Sequence, residues 1–129
     1  EQTMATPIIE HVNLTVSDNR RAAALFERLF GWHIRWEGPA RDGGHSIHVG
    51  DERYYLALYT PRGAATGGKG FAKGEPLNHV GLLVEDLAAV KAGVIAAGLE
   101  PFNHERYDPG ERFYFFDWDG IEYEIVSYA

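Results

Sequence analysis

Two histidines occupy equivalent places in two similar stretches of this sequence. The segment HVNLTVSD at residues 11–18 recurs as HVGLLVED at residues 79–86, so His11 and His79 each open one copy. A neutral imidazole binds transition-metal ions, and it also transfers protons near neutral pH. The chain has no cysteine, so a metal ion would need histidine and carboxylate ligands. The repeat therefore makes His11 and His79 the first candidates for chemistry.

Apolar residues alternate with other residues along both copies of the repeat. Valine or leucine stands at positions 12, 14 and 16, and again at positions 80, 82 and 84. A period of two is typical of a β-strand with one apolar face. Because side chains alternate across a strand, we expect His11 and His79 on the polar face, opposite the core.

A helix is predicted after each of these strands. Asp18 and Asp86 are suited to capping the start of a helix, and Gly31 and Gly98 are suited to ending one. Strand-like runs follow at about residues 32–38, 43–49 and 53–60, and then at about residues 99–106, 111–117 and 121–128. Each half of the chain is therefore predicted to form a βαβββ unit.

The composition fits one domain that contains both units. A chain of 129 residues, 45% of them hydrophobic, is long enough to bury a core of its own. We expect the first unit to cover residues 8–60 and the second to cover residues 77–128. Residues 61–76 are rich in glycine and have no periodicity, which favours a linker over a lid on the substrate.

The charge of the chain argues against two classes of partner. With 12 Lys and Arg residues against 19 Asp and Glu residues, the net charge is −7, which repels nucleic acid backbones and anionic membrane surfaces. No stretch of about eighteen apolar residues is present to span a membrane. We expect a soluble, cytoplasmic protein that acts on a small molecule and binds neither nucleic acid nor membranes.

A β-hairpin is predicted in RFYFFDWDGIEYE, near the end of the sequence. Trp118, Asp119 and Gly120 would form its loop, where glycine supplies the left-handed residue that such turns need. This register places Tyr114 opposite Glu124. Directly opposed residues share a face, with Cβ atoms about 4.5–5.5 Å apart. The phenol and the carboxylate are therefore expected side by side.

Two tandem βαβββ units resemble the vicinal oxygen chelate superfamily, which includes glyoxalase I, extradiol dioxygenases, fosfomycin-resistance enzymes and bleomycin-binding proteins. The resemblance covers the chain from Ile8 to Tyr128. It implies an α+β fold in which the two modules form a curved mixed sheet around a central cleft. It also implies metal ligands on the first strand of each unit and on the last strand of the second, which are His11, His79 and Glu124 here. These ligands suit one divalent ion, with Fe²⁺ favoured and Mn²⁺, Zn²⁺, Ni²⁺ or Co²⁺ as alternatives.

The sequence departs from the superfamily pattern at the fourth ligand position. Glyoxalase I carries a glutamate there, whereas this chain aligns Ala57 with it, and alanine cannot coordinate a metal ion. The resemblance therefore implies a three-ligand site with open positions for substrate. Glu122 lies on the same strand as Glu124, but the residue count after the turn favours Glu124 as the ligand.

Tyr114 and His48 are the candidate catalytic residues. A tyrosine ten residues before the ligand glutamate also occurs in extradiol dioxygenases and in fosfomycin-modifying enzymes, and a nearby dication would stabilise its phenolate for proton transfer. His48 stands between Ile47 and Val49, whose apolar side chains predict that His48 lies on the opposite face. His104 lies close to the corresponding region of the second unit but is displaced by one residue.

The leading hypothesis is an enzyme whose metal ion binds two neighbouring substrate oxygens, with extradiol-dioxygenase-like chemistry favoured. A Mn²⁺-dependent opening of an epoxide such as fosfomycin, a glyoxalase-type isomerisation and a metal-free drug-binding protein remain as alternatives. We expect a homodimer. All three ligands would come from one chain, or, in an exchanged arrangement as in glyoxalase I, His11 would come from one subunit and His79 with Glu124 from the other.

Overall fold

The structure, a computed structural model, describes residues 7–63, 76–107 and 109–129 and contains two successive βαβββ units. The first consists of β1 (His11–Thr15), α1 (Asn19–Phe30), β2 (His33–Pro39), β3 (His45–Gly50) and β4 (Tyr55–Thr60). The second consists of β5 (Val80–Leu83), α2 (Leu87–Ala96), β6 (Phe102–Tyr107), β7 (Gly110–Phe116) and β8 (Glu122–Ser127). The predicted order of helices and strands is confirmed. Most of the predicted linker, residues 64–75, lies outside the described residues.

Both helices begin where the sequence predicts. The carboxylate of Asp18 accepts a hydrogen bond of 3.1 Å from the backbone N–H of Arg21, and that of Asp86 accepts one of 3.0 Å from Ala89. These bonds satisfy backbone donors that have no partner inside the helix. Gly31 ends α1 with a φ of 68°, a left-handed conformation that favours glycine. Within the described residues, no helix has the length and apolar character needed to cross a membrane.

The strands form two separate four-stranded sheets rather than one continuous sheet. Their strand orders are β1-β4-β3-β2 and β5-β8-β7-β6. β1 pairs with β4, and β5 with β8, in parallel, whereas the other pairs in each sheet are antiparallel. The predicted α+β class with two mixed βαβββ modules is confirmed. β1 and β5 are both edge strands, and this matters for the site described below.

One hydrophobic core joins the two units. α1 packs on β3 and β4 and also contacts α2. Phe26 of α1 meets Tyr123 of β8 with ring centroids 5.4 Å apart, and both side chains are fully buried. Because the apolar faces of both sheets line this shared core, the opposite face of each sheet points away from it. We call these the first polar face, on β1 to β4, and the second polar face, on β5 to β8.

The turn between β7 and β8 also fastens the second unit to the first. The carboxylate oxygens of Asp119 accept hydrogen bonds of 3.1 and 3.2 Å from the backbone N–H of Ser17, just after β1. The guanidinium of Arg21 lies 4.1 Å above the ring of Trp118. A cation over an indole ring is attracted by the ring's quadrupole, so this contact adds to the attachment. The two units are therefore held together near the start of α1.

Asp117 stabilises the same turn from a buried position. Its Oδ1 accepts hydrogen bonds from the backbone N–H groups of Asp119, at 2.8 Å, and Ile121, at 2.9 Å. Burial raises the pKa of Asp117 from 3.8 to about 6, against the opposing effect of these hydrogen bonds. Asp117 is therefore protonated more easily in the folded protein than in the unfolded chain.

We expect the replacement Asp117→Asn to flatten the pH dependence of stability. Because the folded pKa is the higher one, the contribution of Asp117 is fully present below its unfolded pKa and is lost as the pH rises through about 6. Relative to Asp117→Asn, the wild type should lose about 3 kcal/mol of unfolding free energy across this range. Urea denaturation of both proteins at several pH values between about 4 and about 7 measures the difference. Parallel curves for the two proteins would contradict this assignment.

Candidate metal centre

Two of the three predicted ligands meet on the second polar face. His79 immediately precedes β5, and Glu124 lies in β8, which pairs with β5. Nε2 of His79 lies 2.9 Å from Oε1 of Glu124. The side chain of His79 is 33% exposed and that of Glu124 is 14% exposed. Strand pairing therefore brings an imidazole and a carboxylate into contact at a partly buried place, where both are suited to hold a cation.

Tyr114 and Arg112 flank this pair. Tyr114 lies opposite Glu124 in the β7–β8 register, as the hairpin predicts, and its ring centroid is 6.0 Å from that of His79. Arg112 stands two residues earlier on the same face, and its Nη1 donates a hydrogen bond of 2.8 Å to Oε2 of Glu124. Both carboxylate oxygens of Glu124 thus have a partner among the described residues. Sequence reasoning missed this contact, although the strand period places Arg112 and Tyr114 on one face.

His11 lies on the first polar face, in the other sheet. It is opposite Tyr55 of β4, and the two rings stack with centroids 4.9 Å apart. The ring of His48 stacks on Tyr55 at 4.6 Å. The neighbours of His48 in β3, Ile47 and Val49, are fully buried in the core. The structure therefore places His48 on the same face as His11, with the ring of Tyr55 between them.

In both His11 and His79, one ring nitrogen lies within hydrogen-bond distance of a side-chain oxygen of the preceding residue. Nδ1 of His11 lies 2.8 Å from Oε1 of Glu10, and Nδ1 of His79 lies 2.8 Å from Oδ1 of Asn78. An oxygen acceptor at Nδ1 fixes the orientation of the imidazole ring, and such contacts are common around metal-binding histidines. Nε2 is then the ring nitrogen that could coordinate a metal ion. The repeat therefore extends to the residue before each histidine.

The three predicted ligands do not meet within one chain. Among residues 7–63, 76–107 and 109–129, no three His, Asp or Glu side chains lie close enough together to hold a metal ion. A groove of about 790 Å³ runs between the edges of β1 and β5, with Ile9 and His11 on one wall and Leu83 on the other. The cleft between the sheets of a single chain thus contains His11 without His79 or Glu124.

The two other histidine candidates differ in their surroundings. Burial lowers the pKa of His48 below its ordinary value, and the nearby charges of His11 and Arg35 lower it further. His48 is therefore neutral at neutral pH and able to accept a proton. His104 lies on the helix side of the second sheet, where its Nδ1 is 2.8 Å from Nζ of Lys91 in α2. His104 is consequently remote from the second polar face.

This chain resembles known proteins both in sequence and in fold. The family model of the Glyoxalase/Bleomycin resistance protein/Dioxygenase superfamily matches residues 8–125. The search of curated proteins finds no match. Among solved structures, a glyoxylase/bleomycin resistance protein/dioxygenase domain from Frankia sp. EAN1pec is 21% identical, with a TM-score of 0.81, over 97% of this chain and 94% of that one.

Two further solved structures have a fold similar to that of this chain. The fosfomycin resistance protein FosX from Listeria monocytogenes, complexed with Mn(II) and sulfate, is 13% identical, with a TM-score of 0.73, over 95% of this chain and 93% of that one. A glyoxalase I mutant from Zea mays is 20% identical, with a TM-score of 0.74, over 92% of this chain and 45% of that one. At such identities the structures share a fold, and function does not follow from fold. Because the family model spans both βαβββ units, this chain belongs to the glyoxalase/bleomycin resistance protein/dioxygenase superfamily.

Proposed function

We propose that this protein is a metal-dependent enzyme that works as a homodimer. One divalent ion is held by His11 of one subunit together with His79 and Glu124 of the other. The observation that carries the proposal is the contact of 2.9 Å between Nε2 of His79, the repeat equivalent of His11, and Oε1 of Glu124. A metal ion placed there needs a third protein ligand, and His11 is the equivalent residue of the other unit.

The exposed apolar residues along the groove support a dimer. Ile8, Ile9 and Leu83 are 73%, 80% and 69% exposed, next to or within the edge strands β1 and β5. Exposed apolar residues grouped at strand edges are typical of a surface that another chain covers. In a two-fold dimer, the β1 edge of one chain meets the β5 edge of its partner twice. That pairing joins the first polar face of one subunit to the second polar face of the other.

The residues of the site favour chemistry at neighbouring oxygen atoms. Two imidazoles and one carboxylate leave coordination positions open on the ion for two substrate oxygens. A bound metal ion supplies Lewis acidity, which stabilises negative charge on those oxygens. The phenol of Tyr114, beside His79 and Glu124, is placed to give or take a proton. His48, neutral at neutral pH, provides a second group able to accept one.

Within this class we favour Fe²⁺ and an extradiol-dioxygenase-like reaction, because Tyr114 and His48 supply two proton carriers around an open three-ligand centre. The second candidate is a Mn²⁺-dependent opening of a fosfomycin-type epoxide. The similar fold of FosX, whose structure contains Mn(II), favours that candidate. A glyoxalase-type isomerisation has less support, because Ala57 occupies the position of the fourth ligand. The non-enzymatic alternative is a metal-free protein that binds a drug.

Metal analysis of protein purified without chelators tests the proposal. We expect one divalent ion per subunit after incubation with Fe²⁺ without air, or with Mn²⁺ or Zn²⁺. The loaded protein is then offered catechols in air, epoxides and hemithioacetals, and turnover of one class identifies the reaction. A folded protein that takes up none of these ions would contradict the enzyme proposal and favour the drug-binding alternative.

A further inference from the structure

Strand β2 contains an irregularity that redirects Arg35. Ile34 pairs with Val49, and Trp36 pairs with His48, so the register shifts between these two pairs. Val49 belongs to the core, whereas His48 lies on the first polar face. Arg35 is therefore the extra residue of a β-bulge. Bulges change the direction of a side chain and are frequent beside active sites.

The bulge places the guanidinium of Arg35 over the ring of Tyr55. Its central carbon lies 4.5 Å from the ring centroid, and its Nη1 donates a hydrogen bond of 3.1 Å to the carbonyl of Asp51. The same ring stacks against His11. Arg35 is thus ordered by a ring and a neutral carbonyl, while its side chain stays exposed. The ring of Tyr55 therefore contacts both this cation and His11, a predicted metal ligand.

We propose that Arg35 binds a carboxylate group of the substrate. The inference deepens the proposed function and rests on it, since the metal ion would hold the neighbouring oxygens of the same molecule. A guanidinium offers a planar pair of N–H groups that matches a carboxylate, and stacking on Tyr55 reduces the entropy lost on binding. In a chain of net charge −7, a cation ordered on this face is suited to attract an anionic substrate.

Two simple chelators test the inference on the metal-loaded dimer. Catechol and 3,4-dihydroxybenzoate present the same pair of oxygens and differ by one carboxylate. Their dissociation constants are measured without air by calorimetry, and the ratio of the two is compared between proteins. This comparison cancels the intrinsic difference in chelation between the two probes. Arg35→Gln should reduce the preference for 3,4-dihydroxybenzoate roughly tenfold or more, with the affinity for catechol unchanged.

A second arginine, which contacts β2 from its helix side, provides a matched control for Arg35→Gln. Arg20 of α1 pairs with Glu37 of β2 on the helix side, so Arg20→Gln should keep the wild-type ratio. A ratio that Arg35→Gln leaves unchanged would overturn the inference while leaving the metal site intact. Equal weakening of both probes would also overturn it, because Arg35 would then support the site without recognising the carboxylate. A wild type that binds no metal ion would overturn this inference and the proposed function together.

Discussion

Glu124→Gln and His11→Ala should each weaken the binding of a divalent ion roughly 100-fold or more, because loss of a direct ligand exceeds the cost of losing a supporting contact. Glutamine keeps the shape of Glu124 and an oxygen that can accept the hydrogen bond from Arg112, but it lacks the negative charge that binds a cation. Metal content after dialysis measures the loss. Circular dichroism and thermal unfolding establish that the variants remain folded.

Glu111 and His104 provide the matched control for these substitutions. Glu111 lies on β7 and contacts His104 much as Glu124 contacts His79, but that pair sits beside Lys91 of α2, on the helix side of the sheet. Glu111→Gln should keep the full metal content. Retention of metal by Glu124→Gln, or equal loss in Glu111→Gln, would mean that the ligand assignment is wrong.

Tyr114→Phe should lower kcat roughly 100-fold or more on whichever substrate the activity screen identifies, while metal content and KM stay close to wild type. The substitution removes only the phenolic oxygen. The ring keeps its stacking on Phe102, at 5.8 Å, and its edge contact with His79, at 6.0 Å. Loss of a proton carrier slows the chemical step without removing a ligand.

Tyr59→Phe is the control for the loss of a phenolic group. The hydroxyl of Tyr59 donates a hydrogen bond of 2.8 Å to the carbonyl of Arg41, in the other unit from Tyr114. We expect this variant to keep nearly all of its kcat. If Tyr114→Phe also kept full kcat, Tyr114 would be a packing residue of a Phe-rich strand. If it instead lost its metal ion, its role would be structural.

The parts of the fold that depend on local spacing were predictable from the sequence. The repeat predicted two equivalent strands, and the glycine after Asp119 predicted the turn that places Tyr114 opposite Glu124. The apolar neighbours of His48 predicted its face. A further local signal went unused. A polar residue precedes each histidine, Glu10 before His11 and Asn78 before His79, and its side-chain oxygen accepts a hydrogen bond from Nδ1.

The parts that depend on contacts between distant segments were not predictable. The two polar faces point away from a shared core because Phe26 packs on Tyr123 and because Asp119 binds Ser17. These contacts join residues about a hundred positions apart, and nothing in either local pattern specifies the partner. The bulge at Arg35 was missed for another reason, since one extra residue in a strand leaves no periodic signal.

The orientation of the two faces leads to the central claim, that one site is shared between two chains. His11→Ala and Glu124→Gln should each bind the metal ion weakly, but they damage opposite halves of the site. In a dimer of one with the other, the chain with the glutamine supplies His11, and the chain with the alanine supplies His79 and Glu124. One of the two sites in that dimer is therefore complete.

The most direct measurement is the metal content of the two variants after they are unfolded and refolded together. Different affinity tags on the two chains establish that mixed dimers are present. A mixture of His79→Ala with Glu124→Gln, which damages the same half of the site twice, serves as the control and should bind no metal. With random pairing, the shared site predicts that the His11→Ala and Glu124→Gln mixture regains about a quarter of the wild-type metal content. Mixed dimers that regain none would contradict it.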